Sequence, residues 1–317
     1  MQTRTYGELF KLIRSLAGVG SFSTAELDDI ANLINRRFLQ IFNESPIWPR
    51  YLVSSEKRDV LALTLSGATS STSTTVNQNY KLLGSNTTGG SNVYQGATTN
   101  TVIIYNTGSA WRVDTAASAA EQTDGTFTVT SGTQEFIEAD TNKKDNITDV
   151  ETFTPRAGTD SLLVEGKNLV PFAQTNKTTI GSFNRIYRKQ PFLNQSALEY
   201  EFFVDVTGAN ILNIASTTDN SVFVTYKQQF TPFSVGPSTD PLTYTDSTVE
   251  VPGEFFAYLA HATYADFLRM DGQTDKAFAE EERANLALAL ELEKVDIISN
   301  NNTVNKRFST YVNRQSR

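Results

Sequence analysis

Residues 258–295 read YLAHATYADFLRMDGQTDKAFAEEERANLALALELEKV, and their pattern decides the fold. Phe256, Leu259, Ala260, Phe267 and Leu268 recur at helical spacing and form one apolar side. Pro252 suits a first helical position, and Glu254 suits the positive end of the helix dipole. Asp271-Gly272-Gln273 then breaks the pattern, with Gly272 as C-terminal cap. Thr274 opens a second helix with Asp275 in its first turn. Ala277, Ala284, Leu288, Leu292 and Val295 lie on one stripe of it. Leu286 and Leu290 widen that stripe, so the helix is expected to be buried on more than one side.

The N-terminal end has the same character. Leu9, Leu12, Ile13 and Leu16 mark a helix that Gly18 and Gly20 end. A second helix starts at Ser23 or Thr24, with Glu26 in its first turn. Its apolar face is Leu27, Ile30, Ala31, Ile34, Phe38, Ile41 and Phe42, and Pro46 and Pro49 stop it near Trp48. Neither end buries both of its faces alone, so the two are expected to pack together.

Between them the period changes. From Val60 to Ala120 the only charged residues are Lys81, Arg112 and Asp114. Short β-type runs stand out at Val60–Leu65, Asn79–Leu83, Thr101–Asn106, Trp111–Asp114 and Thr126–Val129, bounded by turns such as Thr88-Gly89-Gly90. A second β region has strands at Ser161–Val164, Asn184–Lys189, Glu199–Val206, Asn210–Ile214 and Ser221–Lys227. Thr207-Gly208-Ala209-Asn210 reads as a hairpin turn. The fold class is therefore α+β: a helical base from both ends, a long inserted antiparallel β region and an extended C-terminal tail. The boundaries fall at 1–50, 51–150, 151–250, 251–298 and 299–317.

Composition excludes several function classes. The chain has 317 residues, a net charge of −8 and no cysteine. Disulfides and thiolate metal sites are ruled out. The acidic balance argues against a nucleic-acid coat, which needs surplus Lys and Arg. No apolar run approaches the roughly 20 residues of a membrane helix, and MQTRTYGELF lacks the apolar run of a signal peptide. A soluble protein made in a cytoplasm fits best.

Catalytic chemistry is thinly represented, and no enzyme is expected. The single histidine, His261, sits in a helix between alanines and reads as a packing or solvated residue. Phosphate loops, dinucleotide fingerprints and nucleophile elbows are absent from the sequence. Glu280-Glu281-Glu282 point about 100° apart on a helix, so they do not converge on one ion and read as a solvated face. No metal or cofactor is expected. Tyr80, Tyr94, Tyr105 and Trp111 either form the small core of the inserted module or present a sugar-stacking surface.

The helical ends resemble the head–tail adaptor proteins of tailed phages, the group that includes the tail tubular protein A of T7-like phages. The likeness rests on 258–295 and on LDDIANLINRRFLQIFNESPIWP (27–49), a helix ending in a Trp-Pro exit. SVFVTYKQQF (221–230) is similar to the strand leading out of that family's β region. The stretch 75–114, with TVNQNYKLLGS, SNVYQG and GSAWRV in order, resembles a small module of phage structural proteins. It departs from the simplest adaptors, whose β region is shorter.

The resemblance implies a virion protein at the head–tail junction, a ring of usually twelve subunits under the portal. Double-stranded DNA passes transiently through its channel. The implied partners are the portal protein, a tail nozzle or other tail protein, and tail fibres, with no membrane. Residues 250–296 carry a net −7, which suits a channel that must release DNA, and the tail from 297 on carries +4. Lys306, Arg307, Phe308, Tyr311, Arg314 and Arg317 form the expected portal-docking arm. The alternative is another tail or fibre-attachment protein with a glycan-binding β module.

Overall fold

The computed structural model describes residues 2–66, 77–85, 92–106, 111–115, 150–153, 162–193, 198–212 and 221–315. The chain divides into two compact units. One comprises residues 1–52 and 229–317, the other residues 53–228.

The first unit is helical. Strand β1 (Thr3–Thr5) runs into α1 (Tyr6–Ala17), and α2 spans Thr24–Glu44. Thr5 and Glu8 close a capping box on α1: Glu8 N–H donates to Thr5 Oγ1, and Thr5 N–H donates to the Glu8 carboxylate, each at 3.1 Å. Ser23 starts α2 with both its N–H and its hydroxyl on Glu26, at 2.7 and 2.6 Å. Gly18 closes α1 in the left-handed region, at φ 68°. After residue 229 come a short helix α3 (Pro241–Thr245), strand β14 (Glu250–Pro252) and the helices α4 (Gly253–Met270) and α5 (Thr274–Gln315). Gly272, at φ 76°, makes the expected break. β1 pairs antiparallel with β14, which ties the N-terminus to the start of α4.

The two ends of the sequence share one core, as their stripes require. Tyr6, Leu9, Ile34, Phe38, Phe255 and Leu259 are all buried in it. Phe38 stacks on Phe233 at 4.3 Å between ring centroids, and Trp48 packs edge-on against Phe255 at 4.8 Å. Trp48 Nε1 donates to the Ile41 carbonyl at 3.0 Å, so the Trp-Pro exit folds back onto α2. Asn35 grips the returning chain with both ends of its amide. Its Nδ2 donates to the Phe233 carbonyl at 3.2 Å, and Phe233 N–H donates to its Oδ1 at 2.8 Å.

The second unit is β. Its strands are β2 (Leu52–Asp59), β3 (Leu61–Ser66), β4 (Asn79–Ser85), β5 (Asn92–Gly96), β6 (Val102–Asn106), β7 (Trp111–Thr115) and β8 (Val150–Phe153). They continue with β9 (Leu162–Pro171), β10 (Ile180–Tyr187), β11 (Phe202–Val204), β12 (Gly208–Ile211) and β13 (Ser221–Gln228). Among the described residues nine strands form one sheet in the order β11-β12-β9-β3-β4-β5-β6-β7, with β8 also on β9. A second sheet has the order β10-β13-β2. Val60, Val170, Ile186, Val222, Val224 and Tyr226 share a core. In β13 the buried residues alternate, the period-2 pattern of a half-covered strand.

Four expectations need correction. The boundary at residue 150 is not a break, because β3 pairs β4 on one side and β9 on the other. The tail is not extended: α5 runs unbroken to Gln315, since no glycine or proline interrupts 274–317. Leu286 and Leu290 are exposed, so α5 buries one side only. The hairpin turn lies two residues earlier than expected, at 205–208, where Asp205 N–H donates to the Gly208 carbonyl at 2.9 Å, with Gly208 already in β12. The run at Thr126–Val129 and the turn at Thr88–Gly90 lie outside the described residues.

Two measurements test this architecture. Phe38→Ala removes a ring from the centre of the helical core and should cost about 3–5 kcal/mol of stability, read by thermal melting. Replacing 53–228 with a short Gly/Ser linker should leave a cooperatively melting helical protein by circular dichroism. A non-cooperative melt of that chain would show that the helical unit depends on the β unit.

Candidate functional site

The strongest charge cluster of the helical unit is a buried ion-pair network joining α2, α4 and α5. The Asp266 side chain is only 4% exposed. Arg37 grips it with a two-pronged fork, Nη2 to Oδ1 at 2.6 Å and Nε to Oδ2 at 2.7 Å. Arg36 adds a bond at 2.8 Å and Arg269 another at 3.1 Å. Arg269 also pairs with Glu281, which Arg37 approaches at 3.4 Å. Burial alone raises the Asp266 pKa. Hydrogen bonds from Arg37 and Arg36, with their charges, outweigh it and hold the carboxyl below its ordinary value. Every acid here is saturated by guanidinium, so the cluster is a clamp with no free base for proton transfer.

His261 stands between α4 and α5, its Nδ1 2.7 Å from Glu280, which also accepts from Arg283 at 2.6 Å. The reading of Glu280-Glu281-Glu282 as a solvated face is thus corrected. Glu280 is buried against His261, Glu281 serves the clamp, and only Glu282 is exposed. Among the described residues no group of three or more His, Cys, Asp or Glu is placed to hold a metal ion. No helix there is long and apolar enough to cross a membrane.

In the β unit, Tyr80 and Tyr94 are 0% and 3% exposed, so they are core residues and offer no ring face to a ligand. Tyr105 and Trp111 lie in register on β6 and β7, opposite Arg112 and Asn106 respectively, and their side chains lie outside the described ones. The same unit has an open polar cleft of about 460 Å³ lined by Lys57, Asp59, Asn79, Lys81, Thr98 and Gln174, among others. Gln174 builds its floor: Nε2 donates to the Asp59 carbonyl at 2.7 Å, and Oε1 accepts from Asp59 N–H at 3.1 Å. Lys81 pairs with Asp59 at 2.9 Å. Close by in sequence, Arg58 is wholly buried, donates to Tyr226 at 2.6 Å and pairs with Glu56 at 2.7 Å.

Of the expected portal arm, Lys306, Arg307, Phe308, Tyr311 and Arg314 fall on the helical backbone of α5. Their side chains, and Arg317 altogether, lie outside the described residues. Sequence reading missed another surface. Phe192 and Leu193 are exposed in the turn after β10, and Leu198, Phe203, Val204 and Val206 are exposed along the chain from 198 through β11 to the turn that follows it. That turn is rigid. Asp205 Oδ1 accepts from the hydroxyl and N–H of Thr207 and from Gly208 N–H, which lowers its pKa to about 2. The Pro191-Phe192-Leu193 tip, apolar inside a turn, was the available signal.

No family model, no curated protein and no solved structure matches this chain.

The clamp makes two predictions. Arg37→Ala removes the one buried guanidinium on Asp266, leaving the carboxylate to the more exposed Arg36 and Arg269, and should cost about 3 kcal/mol, whereas Arg37→Met with Asp266→Leu should cost less, by chemical denaturation. Because the folded pKa of Asp266 is depressed, its contribution is full above the ordinary carboxyl value of about 3.9 and is lost as pH falls through the lower folded value. Asp266→Asn should therefore flatten the acid limb of the stability profile.

Lys227 gives the opposite limb. Burial pushes its ammonium down to about 8, against about 10.4 when unfolded. Between those values the unfolded chain holds a proton that the folded chain has released, so β-unit stability should rise with pH. Lys227→Met should abolish that slope in pH-dependent melts.

Proposed function

We propose that this chain is a non-enzymatic structural subunit of a tailed-phage virion, forming the ring-shaped adaptor between portal and tail. The observation that carries the reading is the placement of its family-like segments. Residues 27–49 and 258–295, far apart in sequence, form one packed helical base around the Arg37–Asp266 clamp. The β unit is inserted between them, entering at Val53 and leaving at Gln228. In this reading about twelve copies surround a channel that double-stranded DNA crosses. The acidic stretch 250–296 lines or borders it, where it repels rather than retains phosphates. The helical end of α5, with Lys306, Arg307, Phe308, Tyr311 and Arg314, docks on the portal. The β unit faces the tail nozzle or fibres.

A second reading is a fibre-attachment or other tail protein that binds glycans. The polar cleft, with Asn79, Thr98 and Lys81 on its wall, supports it, since amides, hydroxyls and amines match sugar oxygens. The burial of Tyr80 and Tyr94 weighs against sugar stacking by those two rings.

Negative-stain imaging of the purified chain, alone and with isolated portal rings, tests the proposal. Rings that cap the portal are the expected result. A monomer that ignores the portal but binds on a glycan array would replace the adaptor by the second reading. Truncation after Ser299 should weaken portal binding at least tenfold at both low and high salt. Undiminished binding would reject α5 as the docking arm.

A further inference from the structure

The β unit carries a polar cleft that the adaptor reading does not use. Its walls are fastened by side chains that serve no other purpose in the core. Gln174 ties the floor to β2 in both directions, through the N–H and the carbonyl of Asp59. Gln78 Oε1 gathers the N–H groups of Thr98 and Thr99 at 2.9 and 2.8 Å, and Ala97 N–H donates to the Asn79 carbonyl at 2.8 Å. These bonds fix the 97–99 wall against β4. The period of two along a strand brings Lys57 and Asp59 to one side of β2, and Asn79 and Lys81 to one side of β4. All four line the cleft, with Thr98, Gln174, Thr175 and Lys177 beside them.

The polar groups of these walls are unevenly engaged. The acceptors are occupied: Gln174 Oε1 takes the Asp59 N–H, Asn79 Oδ1 takes the Thr64 hydroxyl at 2.6 Å, and the Asp59 carboxylate takes Lys81 at 2.9 Å. Several donors are not. Lys57 is exposed, and its ammonium has no ion-pair or hydrogen-bond partner among the described residues. The same holds for the hydroxyls of Thr98 and Thr175 and for Asn79 Nδ2. A ligand that fits must therefore bring acceptors.

Charge points the same way. Lys57, Lys81 and Lys177 line the cleft against Asp59 alone. Behind them Glu56 pairs with Lys177 at 3.6 Å and with the wholly buried Arg58 at 2.7 Å. Four cations against two carboxylates leave these six groups at +2, within a chain whose total is −8. Volume sets the size of the ligand. A bare phosphate ion would leave most of about 460 Å³ to water, and a largely apolar ligand would strand the free donors. A sugar ring meets both demands. Its C–H face can lie on Leu61, Pro171 and Ala173, and its oxygens accept from the threonine hydroxyls and the asparagine amide. A carboxylate or sulfate on that ring answers Lys57.

We infer that the cleft binds an acidic saccharide, a sugar whose ring carries one carboxylate or sulfate, and that Lys57 is the residue that reads its charge. The inference rests on the glycan reading above and deepens it by naming the ligand's charge and its partner. The ring reading stands or falls without it.

The full chain is titrated by ligand-observed NMR with two matched pairs, galacturonate against its methyl ester and galactose 6-sulfate against galactose, and with inorganic phosphate. In at least one pair the charged sugar should bind about tenfold more tightly than its neutral match, and that pair names the anion. The preference should shrink as sodium chloride rises from about 50 to about 500 mM, because a contact to an exposed ammonium is screened. Lys57→Glu should erase the preference and leave the neutral sugars unaffected, and Lys57→Arg should retain it. Both variants should melt like the parent, since Lys57 holds nothing in the fold. Equal affinity within both pairs would overturn the inference and leave the glycan reading standing. Phosphate binding as tight as that of the charged sugars would replace it with a plain anion site. A preference that survives Lys57→Glu would remove the charge reading from this cleft. If no sugar binds, the inference and the glycan reading fall together.

Discussion

A single carboxylate with almost no access to water organises the helical unit. Asp266 lies on α4, and its partners come from α2 and from its own helix, with Glu281 of α5 completing the set. A buried charge is tolerable only when its hydrogen-bonding capacity is filled, so the three helices are held in one mutual arrangement. Apolar packing supplies the driving force around it: Phe38, Phe233, Phe255 and Trp48 interlock at ring distances between 4.3 and 6.1 Å. The clamp contributes geometry, and the rings contribute most of the stabilisation.

That arrangement explains how a β unit of 176 residues interrupts a helical one. The chain leaves after Trp48 has folded back on α2, and it returns through Phe230, which packs edge-on against Phe42, and Phe233, which stacks on Phe38. Asn35 then satisfies the backbone of Phe233 in both directions. Entry and exit are therefore both fastened inside the helical core, and the β unit completes its own core around Val170, Val224 and Tyr226.

What neither unit covers is as informative as what it buries. α5 spends small residues, Ala277 and Ala284, on its inner side, where backbones approach closely, and leaves Leu286 and Leu290 outward. A helix that needed only solubility would carry the opposite distribution. Its 42-residue length also exceeds what packing against α4 requires, since α4 has 18 residues. Surplus helix and surplus apolar surface are both in keeping with the ring assembly proposed above.

Local signals in the sequence determined the elements. Capping residues Gly18, Ser23 and Gly272, the apolar stripe of α2 and the alternation in β13 were all legible, because each depends on neighbours within a few residues. The pairing of the two chain ends was legible too, since each carried a stripe with nothing local to bury it. Tertiary structure alone decided the rest. Periodicity assigns Leu286 and Leu290 to a helix but cannot say which of its sides meets α4; packing with Ala277 and Ala284 settles that. Arg37 and Asp266 look like ordinary surface residues until a fold spanning 229 positions brings them together. The single nine-stranded sheet likewise depends on β3 meeting β9, a long-range pairing for which strand composition carries no address.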